Sequence, residues 1–88
     1  MGINDKKIKH RITHSEIVYA RLYAKKSDGT MDFFSSLPEH FTMSIRGKIA
    51  YNKRFRADKI YLGVDIVTIF HEGDIVTIYK NDDKVIIE

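Results

Sequence analysis

From Met43 onward the sequence is a series of short β-branched and aromatic runs cut by polar turns. No other feature constrains the fold as strongly. Ile45, Gly47, Ile49 and Tyr51 alternate with Arg46, Lys48, Ala50 and Asn52. That is the period of a strand with one face in the core and a basic face in solvent. Asn52-Lys53-Arg54 turns the chain, and Phe55 to Leu62 reads as a short, irregular strand. Two further runs, Ile66 to Phe70 and Ile75 to Tyr79, are bounded by His71-Glu72-Gly73-Asp74 and Lys80-Asn81-Asp82-Asp83. Lys84 to Glu88 then closes a three-stranded antiparallel meander. The similarity of Val67-Thr68-Ile69-Phe70 to Val76-Thr77-Ile78-Tyr79 is that of hairpin partners. Five short strands in ~45 residues do not make a two-sheet sandwich with separate cores, so a small, strongly bent barrel is expected. Its main core positions are expected to include Ile49, Val67, Ile69 and Ile78.

The N-terminal part reads differently. Met1 to Lys9 is a polar, basic arm. Thr13 is a good helix N-cap, and Glu16, three residues on, is placed to return a bond to the cap amide. A helix is predicted over Ser15 to Lys25, with Ile17, Ala20 and Ala24 on helical spacing. Arg21, Lys25 and Lys26 fall toward its C-terminal end, where cations complement the helix dipole. Ser27-Asp28-Gly29 stops it. Thr30 to His40 is a connector, and its Met31, Phe33, Phe34 and Leu37 are too apolar for a free linker, so it should lie against the barrel. Pro38 blocks a central strand there. The expected organisation is therefore residues 1–42 as basic arm, short helix and connector, and residues 43–88 as barrel. The fold class is mainly β, a small five-stranded SH3-like barrel preceded by a short N-terminal α-helix.

Length and composition fit this reading. A chain of 88 residues with 43% hydrophobic and 31% charged residues supports one modest core. The absence of cysteine excludes a disulfide framework and a thiolate zinc site. No apolar run has the length of a membrane span. Met1 to Lys9 lacks the apolar stretch of a signal peptide, so a cytoplasmic location is expected.

The net charge of +3 is mild, but it is unevenly spread. Met1 to Lys26 holds seven basic and two acidic residues, and Met43 to Lys59 six basic and one acidic. Ile60 to Glu88 holds two basic and six acidic. Such asymmetry gives a molecule a positive side that attracts polyanions.

Signs of catalysis are lacking. His10, His14, His40 and His71 form no recognisable ligand pair with a carboxylate. His10 and His14 lie four apart, but Thr13 caps the helix between them, and both are expected to be exposed. Asp65, Asp82 and Asp83 are turn and strand-edge residues without an acid–base partner. Gly29, Gly47, Gly63 and Gly73 are isolated and read as turns or bulges, so no phosphate-binding glycine loop is present. No catalytic residue, metal ligand or cofactor is assigned, and the chain is not expected to be an enzyme by itself.

Two stretches together carry a family resemblance. The run from Lys9 to Tyr19, with Thr13, Glu16 and Tyr19, resembles the tail of the catalytic core of integrase-like transposases, with His14 where proline is usual there. Ser44 to Tyr51, Ile60 to Ile69 and Ile75 to Tyr79 resemble the small SH3-like barrel that follows that core. The resemblance implies a C-terminal DNA-binding module without the Asp-Asp-Glu core, acting with a separate catalytic domain. It also implies contact through basic barrel residues. Together with the charge map it points to Arg46, Lys48, Lys53, Arg54, Arg56 and Lys59. Arg46 and Lys48 share the outward phase of their strand. These cations would neutralise the phosphates of duplex DNA rather than read bases, since no recognition helix is in sight. Tyr51 and Phe55 fall on the apolar phase and are expected in the core; their other reading is stacking on the bases of a single strand.

Two alternatives are carried forward. His71 to Tyr79 followed by Lys84 to Ile87 also resembles the glycine-aspartate hairpin of swapped-hairpin transcription regulators, which exist only as dimers. An SH3-like protein-interaction module is the other, since fold alone does not choose a ligand. The barrel reading predicts a monomer.

Overall fold

A computed structural model describes residues 7–88. The arm expected over Met1 to Lys9 lies mostly outside the described residues. Its end, however, is a strand: β1 (Ile8–Arg11) turns Ile8 and His10 inward and Lys9 and Arg11 outward.

Helix α1 (His14–Tyr19) starts as its sequence dictates. The Thr13 hydroxyl accepts from the Glu16 amide at 3.3 Å, and a Glu16 carboxylate oxygen accepts from the Thr13 amide at 2.8 Å, a complete capping box. The helix then stops after six residues and does not run to Lys25. Ala20 takes left-handed angles (φ 55°) and closes it. The next residues form β2 (Arg21–Tyr23). Ala20, Leu22 and Ala24 are all buried, a strand period that overlies the helical spacing of Ala20 and Ala24. The helical reading chose the wrong one of two overlapping periods.

Helix α2 (Thr30–Ser35) occupies the expected connector and lays Phe34 into the core. Phe34 packs edge-on to Phe33 at 5.1 Å and stacks on Phe55 at 5.7 Å between centroids. Strand β3 (Phe41–Ile45) directs Phe41, Met43 and Ile45 inward. It does not continue through Gly47. Arg46 and Gly47 both take positive φ (48° and 89°), the signature of a tight hairpin turn matched to strand twist. The chain returns as β4 (Lys48–Lys53), paired with β3. The turn reverses the expected phase: Ala50 is buried, whereas Ile49 and Tyr51 are exposed at 43% and 72%. Tyr51 and Asn52 together stand opposite Thr42, a bulge made by the left-handed Asn52.

Strand β5 (Lys59–Tyr61) pairs with β2 in a two-stranded ribbon. The run Ile66 to Phe70 is not a strand. Gly63 (φ 96°) starts a helical turn, α3 (Val64–Val67), and the inward residues Val67 and Phe70 stand three apart instead of alternating. Tertiary packing overrides β-propensity here. Ile69 is accordingly only partly buried. The final hairpin forms as expected, with β6 (Ile75–Asn81) and β7 (Lys84–Ile87) joined at Asp82-Asp83.

The larger sheet has the order β1-β6-β7-β3-β4, with β3 parallel to β7 and all other pairs antiparallel. Its outer strands β1 and β4 do not pair with each other, so the expected barrel is not closed among the described residues. The molecule is a small, mainly β domain with sheets of five and two strands. The inward residues of both sheets form one cluster, including Met43, Ile45, Val76, Ile78, Val85 and Ile87 from the larger and Leu22 and Ile60 from the ribbon. Residues from both sides of position 42 share this core. No helix among the described residues is long and apolar enough to cross a membrane.

Candidate nucleic-acid interface

The β2–β5 ribbon shapes one open, basic surface groove. Its register sets Arg21 opposite Tyr61 and Tyr23 opposite Lys59. Between them Leu22 and Ile60 point into the core and anchor the ribbon, which leaves the flanking side chains on the outer face. Residues leaving β4 pass alongside. Arg56 and Lys59 bond reciprocally through their main chains at 3.0 and 3.1 Å across a turn with Ala57 at φ 60°. The result is an open groove of about 330 Å³ lined by Arg21, Asn52, Lys53, Arg54, Arg56, Lys59 and Tyr61.

Four of the six expected contact residues, Lys53, Arg54, Arg56 and Lys59, therefore meet around one groove. Arg21 joins them from a segment read as helix. Period-two alternation around Leu22 was the signal for it. Lys53 is held in place: its ammonium donates to the Tyr61 carbonyl at 3.0 Å and lies 5.7 Å from the centroid of the Tyr61 ring. Lys59 lies 3.6 Å from the Asp58 carboxylate. Among the described residues no carboxylate comes within ion-pair distance of Arg21, Lys53, Arg54 or Arg56. The positive charge of the groove is thus only partly balanced, and counter-charge has to come from solvent ions or a ligand.

Arg46 and Lys48 do not belong to this site. Arg46 sits in the β3–β4 turn, where its guanidinium lies 3.6 Å from Asp74, donates to the Ile69 carbonyl at 3.2 Å and covers the Phe70 ring at 4.7 Å. It fastens the hairpin to the segment after α3. Lys48 is exposed at the start of β4 and does not line the groove. Of the two aromatic residues considered for stacking, Phe55 packs on Phe34, while Tyr51 stands in solvent instead of the core. The aromatic residue inside the groove is Tyr61, 56% exposed.

A second polar cluster is buried. His10, expected to be exposed, is instead buried, with 1% of its surface accessible. Its Nε2 lies 2.8 Å from Glu16 and its Nδ1 2.7 Å from Asp28. Ionised carboxylates only accept, so both ring nitrogens donate and the ring is an imidazolium. Neither nitrogen keeps a lone pair for a metal. Glu16 also accepts from the amides of Thr13 and Tyr23, each at 2.8 Å. Asp28 accepts from the Thr30 amide and hydroxyl, at 3.0 and 2.6 Å. Burial works against the charge on His10, but its bonds to Glu16 and Asp28 and their negative charges outweigh it and raise the imidazole pKa. Burial likewise opposes ionisation of Glu16, and its bonds to His10, Tyr23 and Thr13 overcome it and lower that pKa. Asp28 is also lowered, against desolvation, by Thr30 and then by His10. The cluster ties β1, α1 and the β2–α2 loop together. His14 is exposed, with its Nδ1 3.3 Å from Glu72.

No family model matches the chain, and neither a curated protein nor a solved structure matches it.

Proposed function

We propose that the domain binds nucleic acid through the phosphate backbone, using the groove of Arg21, Lys53, Arg54, Arg56 and Lys59. One observation carries this reading. Five cations converge on one open groove with a single carboxylate, Asp58, among their close partners. Such a surface suits a repeating anion. Phosphate contacts position a strand without reading its sequence, so little sequence preference is expected. The resemblance to the end modules of integrase-like transposases supplies the proposed setting, a non-catalytic module acting with a catalytic core carried elsewhere.

The test is an anisotropy titration of a labelled oligonucleotide over a range of salt. Each neutralised phosphate releases condensed counterions, so log affinity falls with log salt by roughly 0.7–0.9 per contact. Five contacts give a slope of about −3.5 to −4.5. Changing Arg54, Arg56 and Lys59 together to Ser should leave Arg21 and Lys53 and flatten the slope to about −1.5 without unfolding the protein, since Arg54 and Arg56 are exposed and Lys59 is only partly buried. Absence of binding at low salt, or binding indifferent to salt, contradicts the proposal.

A further inference from the structure

We infer that the preferred ligand of this groove is a single strand, with one base stacked on Tyr61. The inference rests on the nucleic-acid reading above and adds the form of the ligand. The first observation is shape. The cations line a depression of about 330 Å³, near the lower end of ordinary small-ligand pockets, ~300–1,000 Å³. The bases of duplex DNA are read by elements that protrude into its major groove, a helix or a two-stranded ribbon, and a duplex offers a concave groove only its stiff phosphate ridge. Here the described helices have six, six and four residues. The ribbon that carries Arg21, Lys59 and Tyr61 shapes the groove with its outer face. A depression accepts a flexible strand that bends into it more readily than a stiff rod.

The second observation is Tyr61. An aromatic ring is 56% exposed among cations, although the adjacent Ile60 and Leu62 are buried. Nothing in the core requires an aromatic residue at this outward position. Lys53 lies 5.7 Å from the ring centroid, and Arg21 is paired with Tyr61 across the ladder. A ring flanked by phosphate-binding cations is the arrangement that lets a backbone lie along the charges while an unpaired base covers the ring. Duplex bases are stacked on each other and have no free face to offer. The shared ligand chemistry is therefore a phosphodiester strand with an unpaired base, whether deoxyribose or ribose.

The experiment compares fluorescein-labelled oligo(dT), oligo(U) and a mixed-sequence DNA duplex of equal length, titrated at low and moderate salt against the wild-type chain, Tyr61→Leu and Tyr61→Phe. The exposure of Tyr61 makes both variants foldable, and thermal melts confirm that each remains folded. A single strand, DNA or RNA, should bind at least tenfold tighter than the duplex. Tyr61→Leu should lose about tenfold in single-strand affinity while Tyr61→Phe keeps most of it, and the loss in duplex affinity for Tyr61→Leu should be several-fold smaller than its loss in single-strand affinity. Salt-dependent binding in which the duplex equals or exceeds both single strands, or in which Tyr61→Leu binds single strands like the wild type, overturns this inference and leaves the phosphate-binding groove standing. Absence of salt-dependent binding to any of the three ligands overturns both.

Discussion

Replacing His10 by Leu tests the buried ion cluster of His10, Glu16 and Asp28. In the wild type the imidazolium lies between Glu16 at 2.8 Å and Asp28 at 2.7 Å, and His10 and Glu16 are each 1% exposed. The variant leaves Glu16 ionised and buried with only the Thr13 and Tyr23 donors. Removing one member of a buried ion pair typically costs ~3–5 kcal/mol. Asp28 retains Thr30 and partial access to water, so its share is smaller and the lower end, ~3 kcal/mol, is expected. That is a large part of the ~5–15 kcal/mol that holds a domain folded. Urea unfolding followed by circular dichroism measures it, with His14→Leu as the exposed control. The pH profile supplies an independent check. The raised imidazole pKa contributes stability that is complete below about pH 6.5, the unfolded value, and is lost as pH rises through the folded one. The lowered Glu16 and Asp28 pKa values contribute stability that is present above about pH 4, near their unfolded values, and is lost as pH falls through the folded ones. Stability should therefore peak between about pH 4.5 and 6.5 and decline on the alkaline side, and His10→Leu should remove that alkaline decline. A cost below ~1 kcal/mol for His10→Leu, or an alkaline decline that survives the substitution, would refute the imidazolium assignment.

Other expectations are simpler. Ile78→Ala, at a fully buried position of the β6 strand, should cost ~2–5 kcal/mol in the same urea assay. Ile49→Ala, 43% exposed on β4, should cost under ~1 kcal/mol; equal losses would show that the β3–β4 turn is misplaced. Gly47→Val puts a β-branched residue at φ 89°, and a cost of ~1–3 kcal/mol is expected although a Cβ there meets nothing within 4 Å. An unchanged urea midpoint would mean that the turn adopts other angles. Arg46→Ala should lower stability through its contacts with Asp74, Ile69 and Phe70, and the salt slope of oligonucleotide binding should not move.

What the sequence made legible is local. The Thr13–Glu16 capping box spans three residues and forms as read. The Asp82-Asp83 turn and its flanking alternation specify the β6–β7 hairpin. Four groove cations were visible because Lys53 to Lys59 are close in the chain and stay close in space. The misreadings occurred where a local signal was ambiguous or the partner was distant. Ala20 and Ala24 satisfy a helical period and, with Leu22, a strand period, and the pairing of β2 with β5 decides between them. Arg21 was missed as a groove residue for that reason. Ile49 and Tyr51 looked inward only on the assumption that the strand ran straight through Arg46-Gly47. Ile66 to Phe70 has the composition of a strand, but Gly63 and the inward placement of Val67 and Phe70 make it a helical turn. Residues 10, 16 and 28 carry no spacing that marks a cluster; β1 and α1 have to fold before they meet.

Nucleic acid is proposed to bind in the cationic groove. Titrating the ¹⁵N-labelled protein with a short oligonucleotide at low salt, and mapping the amide shifts, tests it most directly. The largest shifts are expected at Arg21, from Asn52 to Lys59, and at Tyr61, with those of Lys80 to Glu88 nearly unmoved. Shifts confined to the β6–β7 hairpin, or none up to millimolar ligand, would contradict the account.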